Sequence, residues 1–127
     1  MKLILVTIVS AFFSCGQPQQ DATTAKRLTP TEYKQQATTQ KGVLIDVRTQ
    51  EEFASGHLQG AANSDLLNGD FAKSLDGLDK EKTYYLYCKS GNRSGKAAKL
   101  MQDAGFKNVF NIGGYEELKS AGLPTKE

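Results

Sequence analysis

The segment Cys88-Lys89-Ser90-Gly91-Asn92-Arg93-Ser94 brings a thiol, a glycine and two cations together, directly after the run Thr83-Tyr84-Tyr85-Leu86-Tyr87. A loop that leaves a strand for a helix can turn its backbone N–H groups toward one point, and the helix adds its positive dipole end. An anion above such a loop is stabilised, including the thiolate of Cys88 itself. Lys89 and Arg93 add formal positive charge, so the thiol pKa is expected to fall and the nucleophilic form to be populated near neutral pH. The competing reading is a small hydrophobe closing an apolar strand, as many free cysteines are. The glycine, the two cations and the strand-to-helix placement favour the reactive thiol.

The remaining chemistry-bearing residues narrow the choice. His57 is the only histidine, and the second cysteine, Cys15, lies in a wholly different context, so neither a disulfide nor an N/S zinc cluster is expected. No metal or cofactor is implied. Asp46, Arg48, Glu52 and His57 are read as braces for loops rather than as a proton-transfer set, with His57 satisfying backbone groups. Sixteen basic and 14 acidic residues are scattered along the chain, giving a formal charge of +2 and no electrostatic footprint for nucleic acid.

The elements that must position Cys88 can be read around it. A length of 127 residues with 39% hydrophobic content suits one domain with an ordinary core. Thr29-Pro30-Thr31-Glu32 predicts a capping box and a helix to about Thr38. Val43-Leu44-Ile45-Asp46-Val47 predicts a strand covered on both faces. Thr49-Gln50-Glu51-Glu52 repeats the capping box for a short helix ending near Gly56. A third helix is expected from Gly69 to Leu75, and Thr83–Tyr87 is the second clear strand. Ala97, Leu100, Met101 and Ala104 recur at helical spacing and Gly105 closes that helix. Val109 to Ile112 is expected as a strand broken by Gly113-Gly114, before a last helix near Tyr115 to Ser120. Strands separated by helices imply an α/β domain, residues 28–127, with a parallel sheet flanked by helices on both faces. Ligands bind such sheets at the carboxyl ends of strands, which is where Cys88 lies.

Three blocks resemble the rhodanese family: Leu44-Ile45-Asp46-Val47-Arg48 with Glu52-Phe53 and Gly56-His57-Leu58-Gln59-Gly60-Ala61; Tyr87-Cys88 through Arg93-Ser94; and Asn111-Ile112-Gly113-Gly114-Tyr115. The resemblance implies a rhodanese-like fold and a sulfurtransferase in which Cys88 takes a sulfane sulfur from a donor such as thiosulfate and passes it to a thiophilic acceptor. It further implies that backbone amides from Lys89 through Ser90, Gly91 and Asn92 to Arg93 hold the persulfide. Lys89 and Arg93 would then help to bind the anionic donor; their alternatives are a solvated surface charge and a structural clasp on the loop. The partners implied are a small anionic donor and a thiol acceptor, which could be a reduced protein. Cysteine-dependent phosphatases and arsenate reductases use similar physics with five residues between Cys and Arg. Only four intervene here, Lys89 to Asn92, which suits a single sulfur better than a tetrahedral phosphate. A non-catalytic binding module of the same fold is the other alternative.

The amino terminus carries a separate message. Lys2 followed by the apolar run Leu3 to Phe13 is too short to span a bilayer, which needs about 20 residues, and matches an export signal covering residues 1–14. Phe12-Phe13-Ser14-Cys15 resembles a bacterial lipoprotein cleavage box, with Phe12 in place of the usual Leu. That resemblance implies lipidation of Cys15 and a place in the bacterial cell envelope, facing the periplasm or the exterior, with the lipid anchor as the only membrane contact. Residues 15–27, polar from Gly16 to Ala25, are expected to be a flexible tether.

Overall fold

The computed structural model describes residues 25–127. The expected export signal, Cys15 and most of the expected tether lie outside them. Two threonines start helices as their spacing predicts: α1 (Pro30–Thr39) and α2 (Gln50–Ser55) each carry a complete reciprocal capping box, Thr29 with Glu32 and Thr49 with Glu52. The hydroxyl of each threonine and the carboxylate of each glutamate satisfy helix-end N–H groups that would otherwise lack partners.

Five strands form one sheet: β1 (Lys26–Arg27), β2 (Val43–Asp46), β4 (Ala62–Asn63), β5 (Thr83–Cys88) and β6 (Asn108–Gly114), in the order β1-β6-β5-β2-β4. Every pairing in it is parallel. This is the rhodanese-like α/β architecture the motifs imply. All six residues of β5 are buried, and alternation divides them between two cores. Tyr84, Leu86 and Cys88 face Phe71 of α3 (Asp70–Ser74) and Ala97, Ala98 and Met101 of α4 (Asn92–Asp103). Tyr85 and Tyr87 face Leu28, Ile112, and Tyr115 and Leu118 of α5 (Tyr115–Ser120). Burying each of these large side chains stabilises by about 1.5–3 kcal/mol before entropy is charged against it. The strand that ends in the cysteine is therefore the best-anchored element of the molecule.

The structure corrects three boundaries. Lys26 and Arg27 belong to the folded unit rather than to the tether: they pair with Phe110 and Asn111, and the next residue continues with Leu28 N–H donating to Asn111 O at 2.9 Å. An edge strand held by its backbone, with both side chains exposed, leaves no hydrophobic pattern to read. Strand β6 does not break at Gly113-Gly114 but runs through both. Its register with β5 shifts between Leu86 and Tyr87, which pair with Asn111 and Gly113, leaving Ile112 as the extra residue of a bulge. A Cβ on Gly114 would lie 2.5 Å from Lys89 O, so this glycine lets β6 pass directly beneath the loop after Cys88. The third helix is shorter than expected and continues as a 3-10 turn, Leu75–Gly77. A two-stranded antiparallel ribbon, β3 (His57–Leu58) with β7 (Thr125–Lys126), closes the far end of the chain against the domain.

Candidate active site

The carboxyl end of β5 delivers Cys88, and the chain turns within three residues into α4. Gly91 makes the turn: it is the residue before the helix, at φ +93°, a conformation that side-chain-bearing residues rarely adopt. The turn points the Gly91 N–H back at the sulfur, 3.0 Å from Cys88 Sγ. One turn into α4, Ser94 Oγ stands 3.4 Å from the same sulfur.

Ser94 is itself held by Asn111 of the neighbouring strand. Asn111 Oδ1 accepts from Ser94 Oγ at 2.7 Å and from Gly113 N–H at 3.1 Å, while its Nδ2 donates to Gly91 O at 2.9 Å. These partners leave one consistent orientation for the amide. The Ser94 hydroxyl has one proton, so it donates to Asn111 when the sulfur carries its own proton and can turn to a thiolate when it does not. Asn111 Oδ1 keeps the Gly113 N–H in either case.

The consequence is a lowered thiol pKa. Burial is the largest single influence and pushes it up, since Cys88 is fully buried. Hydrogen bonds from the Ser94 hydroxyl and from the backbone of Ser94, Ser90 and Gly91 outweigh that and bring it below the ordinary cysteine value. The sequence leads one to expect this lowering from inward-turned backbone N–H groups together with the charges of Lys89 and Arg93. The groups closest to the sulfur are the backbone donors and a hydroxyl, all of them neutral.

Arg93 turns away to a carboxylate. Its Nη1 and Nη2 donate to Glu52 Oε1 and Oε2 at 2.7 and 3.0 Å, a two-pronged pair joining α4 to α2. The pair holds the Glu52 carboxyl well down, at about 2, with Arg93 as the main cause. The Arg93 guanidinium is raised mainly by Glu52, and the charge of Cys88 adds to the same effect. Lys89 and Ser90 are exposed on the outer side of the loop, as is Asn92 at the helix start.

Beneath the rim, Arg48 donates through Nε and Nη2 to the buried Asp46 carboxylate at 2.7–3.0 Å and through Nη2 to Gly56 O at 2.6 Å. Its guanidinium also lies over the Tyr115 ring, 4.5 Å from the centroid. His57 Nδ1 sits 2.9 Å from Phe53 O and its ring stacks on Phe53 at 3.7 Å. These residues tie the loop after β2 to the segment after α2, and none of them has a hydrogen bond to Cys88.

Two cavities flank the loop. One of about 300 Å³ is bordered by Lys89, Arg48, Glu52 and Tyr115. The other, about 590 Å³, has Ser90, Gly91 and Asn92 as one wall. The structure thus brings the backbone of Ser90 and Gly91 and the Ser94 hydroxyl to the sulfur of Cys88, while the side chains of Lys89, Asn92 and the Glu52-bound Arg93 stand on the rim. Sequence reasoning missed Ser94 and Asn111 as members of the site. Their signals were a hydroxyl one turn into the helix after the cysteine, and a lone amide inside the apolar stretch Val109 to Ile112.

The arrangement is a cysteine sulfur under a cap of N–H and O–H donors, and the chain that carries it is similar to known proteins in sequence and in fold. The family model described as a rhodanese-like domain matches residues 29–121. Thiosulfate sulfurtransferase 16, chloroplastic, of Arabidopsis thaliana is 39% identical over 93 residues, spanning 65% of this chain and 78% of that protein. Thiosulfate sulfurtransferase PspE of Escherichia coli strain K12 is 34% identical over 74 residues, spanning 58% of this chain and 71% of its own length. The crystal structure of a rhodanese-like domain protein from Staphylococcus aureus superposes with a TM-score of 0.65 at 30% identity, covering 80% of this chain and 99% of that one. With its cysteine loop in the expected place and its family model spanning the domain from α1 to α5, this chain belongs to the rhodanese-like family.

Proposed function

We propose that the protein is a sulfurtransferase that carries a sulfane sulfur on Cys88. The observation that carries this reading is the cap over the sulfur: a fully buried thiol whose pKa is nevertheless lowered, with Gly91 N–H at 3.0 Å and Ser94 Oγ at 3.4 Å. The thiolate attacks the outer sulfur of thiosulfate or a similar donor. A sulfur–sulfur bond forms to Cys88, the donor's own sulfur–sulfur bond breaks, and sulfite leaves with the electron pair. The persulfide is an anion in the same place, and the N–H groups of Ser90 and Gly91 and the Ser94 hydroxyl stabilise it as they stabilise the thiolate. A thiophilic acceptor then attacks the outer sulfur and returns Cys88 to its thiolate form.

Cys88 is a free thiol, and the only other cysteine in the chain is Cys15. Our reading also takes Cys15 as the lipidated amino terminus of an envelope protein, supported by the apolar run Leu3 to Phe13 and the Ser14-Cys15 pair. No resolving thiol then remains within the chain, and discharge comes from an outside thiol. Transfer from thiosulfate to cyanide, followed as thiocyanate, tests the activity. Turnover in the native protein and none in Cys88→Ser is expected, and normal turnover in that variant ends the mechanism. Intact mass of the envelope form tests the anchor: a mature chain beginning elsewhere than a lipid-modified Cys15 refutes it.

A further inference from the structure

The larger cavity beside the loop is a groove whose charge the sulfur chemistry leaves unused. Arg27 of β1 and Lys96 and Lys99 of α4 border it, and among the described residues none of its lining is acidic. Among the described residues Arg27 and Lys96 have no carboxylate within ion-pair distance, and Lys99 only an exposed one, Asp103 at 3.7 Å. Glu117 is near Arg27, since a Cβ added to Gly113 would meet Glu117 Oε1 at 3.1 Å and Arg27 Nη2 at 3.4 Å, but it does not line the groove. Three cations around one concavity make a local positive field that solvent only partly screens.

The floor of the groove is shaped by Gly95, in the interior of α4. Glycine there weakens a helix relative to alanine. Packing does not demand it: an added Cβ would meet only Asn111 Nδ2, at 3.4 Å. What the missing side chain leaves is a hollow between the lysines. One helical turn beyond Lys96 stands Leu100, 41% exposed and one of two exposed large hydrophobics among the described residues. A hollow with a basic border and an apolar neighbour fits a protein segment better than it fits a flat surface.

The groove also has a fixed relation to the sulfur. Its wall contains Gly91, the residue whose N–H lies 3.0 Å from Cys88 Sγ. A chain segment seated against that wall lies beside the loop that carries the donors to the sulfur. We propose that this groove docks an acidic, thiol-bearing segment of the protein that discharges Cys88, an inference that rests on the sulfur-carrier reading above. The segment's thiolate attacks the outer sulfur of the Cys88 persulfide. The bond from that sulfur to Cys88 breaks, its electron pair returns to Cys88 as thiolate, and the partner leaves as the persulfide. No other oxidant or reductant is needed.

The test uses thiosulfate-loaded protein and three synthetic peptides, each with one cysteine flanked by glutamates, serines or lysines, every rate corrected for the peptide's own thiol pKa. The glutamate peptide is expected to discharge the protein with a kcat/KM about tenfold above the serine peptide, the advantage vanishing near 0.5 M salt, where the Debye length is about 4 Å. In Lys96→Glu/Lys99→Glu the order should invert in favour of the lysine peptide, with discharge by cyanide unchanged. No charge preference in the native protein, or a preference that survives the double reversal, overturns the proposal. So does a double variant that loses only binding to phosphatidylglycerol vesicles, because the groove would then face anionic lipid. A glutamate peptide with serine in place of cysteine, titrated by calorimetry at low salt, reads docking without sulfur. Binding there, in a protein that takes no sulfur from thiosulfate, would bring down the sulfur-carrier reading and with it the discharge step, while the acidic docking surface stood.

Discussion

The cradle around the sulfur and the rim above it are built from opposite materials. The cradle is neutral and buried: Gly91 and Ser94 donate to Cys88, and Asn111 holds both of them in position. The rim is charged and partly wet: Lys89 is exposed, and the side chains of Arg93 and Glu52 are 20% and 30% exposed around their ion pair. Hydrogen bonds in a dry site are strong and insensitive to salt, whereas charges in contact with water are screened. The difference assigns two jobs. On the proposed function, the cradle sets how reactive the sulfur is, and the rim sets how an anionic donor arrives.

Breaking the cradle should cost most. Asn111→Leu removes three hydrogen bonds, to Gly91 O, the Ser94 hydroxyl and the Gly113 N–H. At about 0.5–1.5 kcal/mol for each lost bond we expect a loss of about 1.5–4.5 kcal/mol in urea unfolding, together with a thiol that titrates higher. Ser94→Ala is the sharper probe, because it removes a donor to the thiolate and leaves the backbone alone. A hydrogen bond to a charged group is worth about 1.5–3 kcal/mol, so the Cys88 pKa should rise and turnover below that pKa should fall about 10–100-fold. Iodoacetamide alkylation rate against pH reads the shift directly. An unmoved pKa in this variant would mean that the amides alone tune the sulfur.

Changes on the rim should be smaller and should depend on the medium. The Arg93–Glu52 pair is partly exposed, so its contribution to stability is expected to be about 0.5–1 kcal/mol. Its sign with pH follows from the depressed Glu52 carboxyl: the contribution is complete above the ordinary carboxylate range and is lost as pH falls from about 4.5 toward about 2. Glu52→Gln should flatten that part of the stability profile while leaving the alkylation profile of Cys88 nearly unchanged. Lys89→Ala should do least, raising KM for thiosulfate about threefold at low salt with kcat unchanged, and the difference should fade as salt is added. A change in kcat instead would move Lys89 from the rim into the cradle.

The same division separates what the sequence disclosed from what it hid. Strands β2 and β5 were legible because both their faces are buried and their apolar runs are continuous. The two capping boxes were legible because a threonine and a glutamate three residues apart are a local signal. Strand β1 was not, since an exposed edge strand is specified by backbone pairing. The continuation of β6 through its glycines depends on a bulge, which only the register with β5 reveals. Within the site, Cys88 and its loop stood out by local spacing. Asn111 did not, because its place beside Ser94 depends on which residues of adjacent parallel strands come level. Likewise Arg93 read as a donor-binding cation or a clasp on its own loop, because Glu52, its partner, lies 41 residues away.

The central claim is that Cys88 holds a transferable sulfur inside this cradle, and mass spectrometry of the thiosulfate-treated protein tests it most directly. The account predicts one added sulfur atom, located by fragmentation to Cys88, stable in the isolated protein and lost in one step when a thiol or cyanide is added. No adduct at Cys88, or spontaneous conversion to a disulfide-linked dimer as the main product, would contradict it.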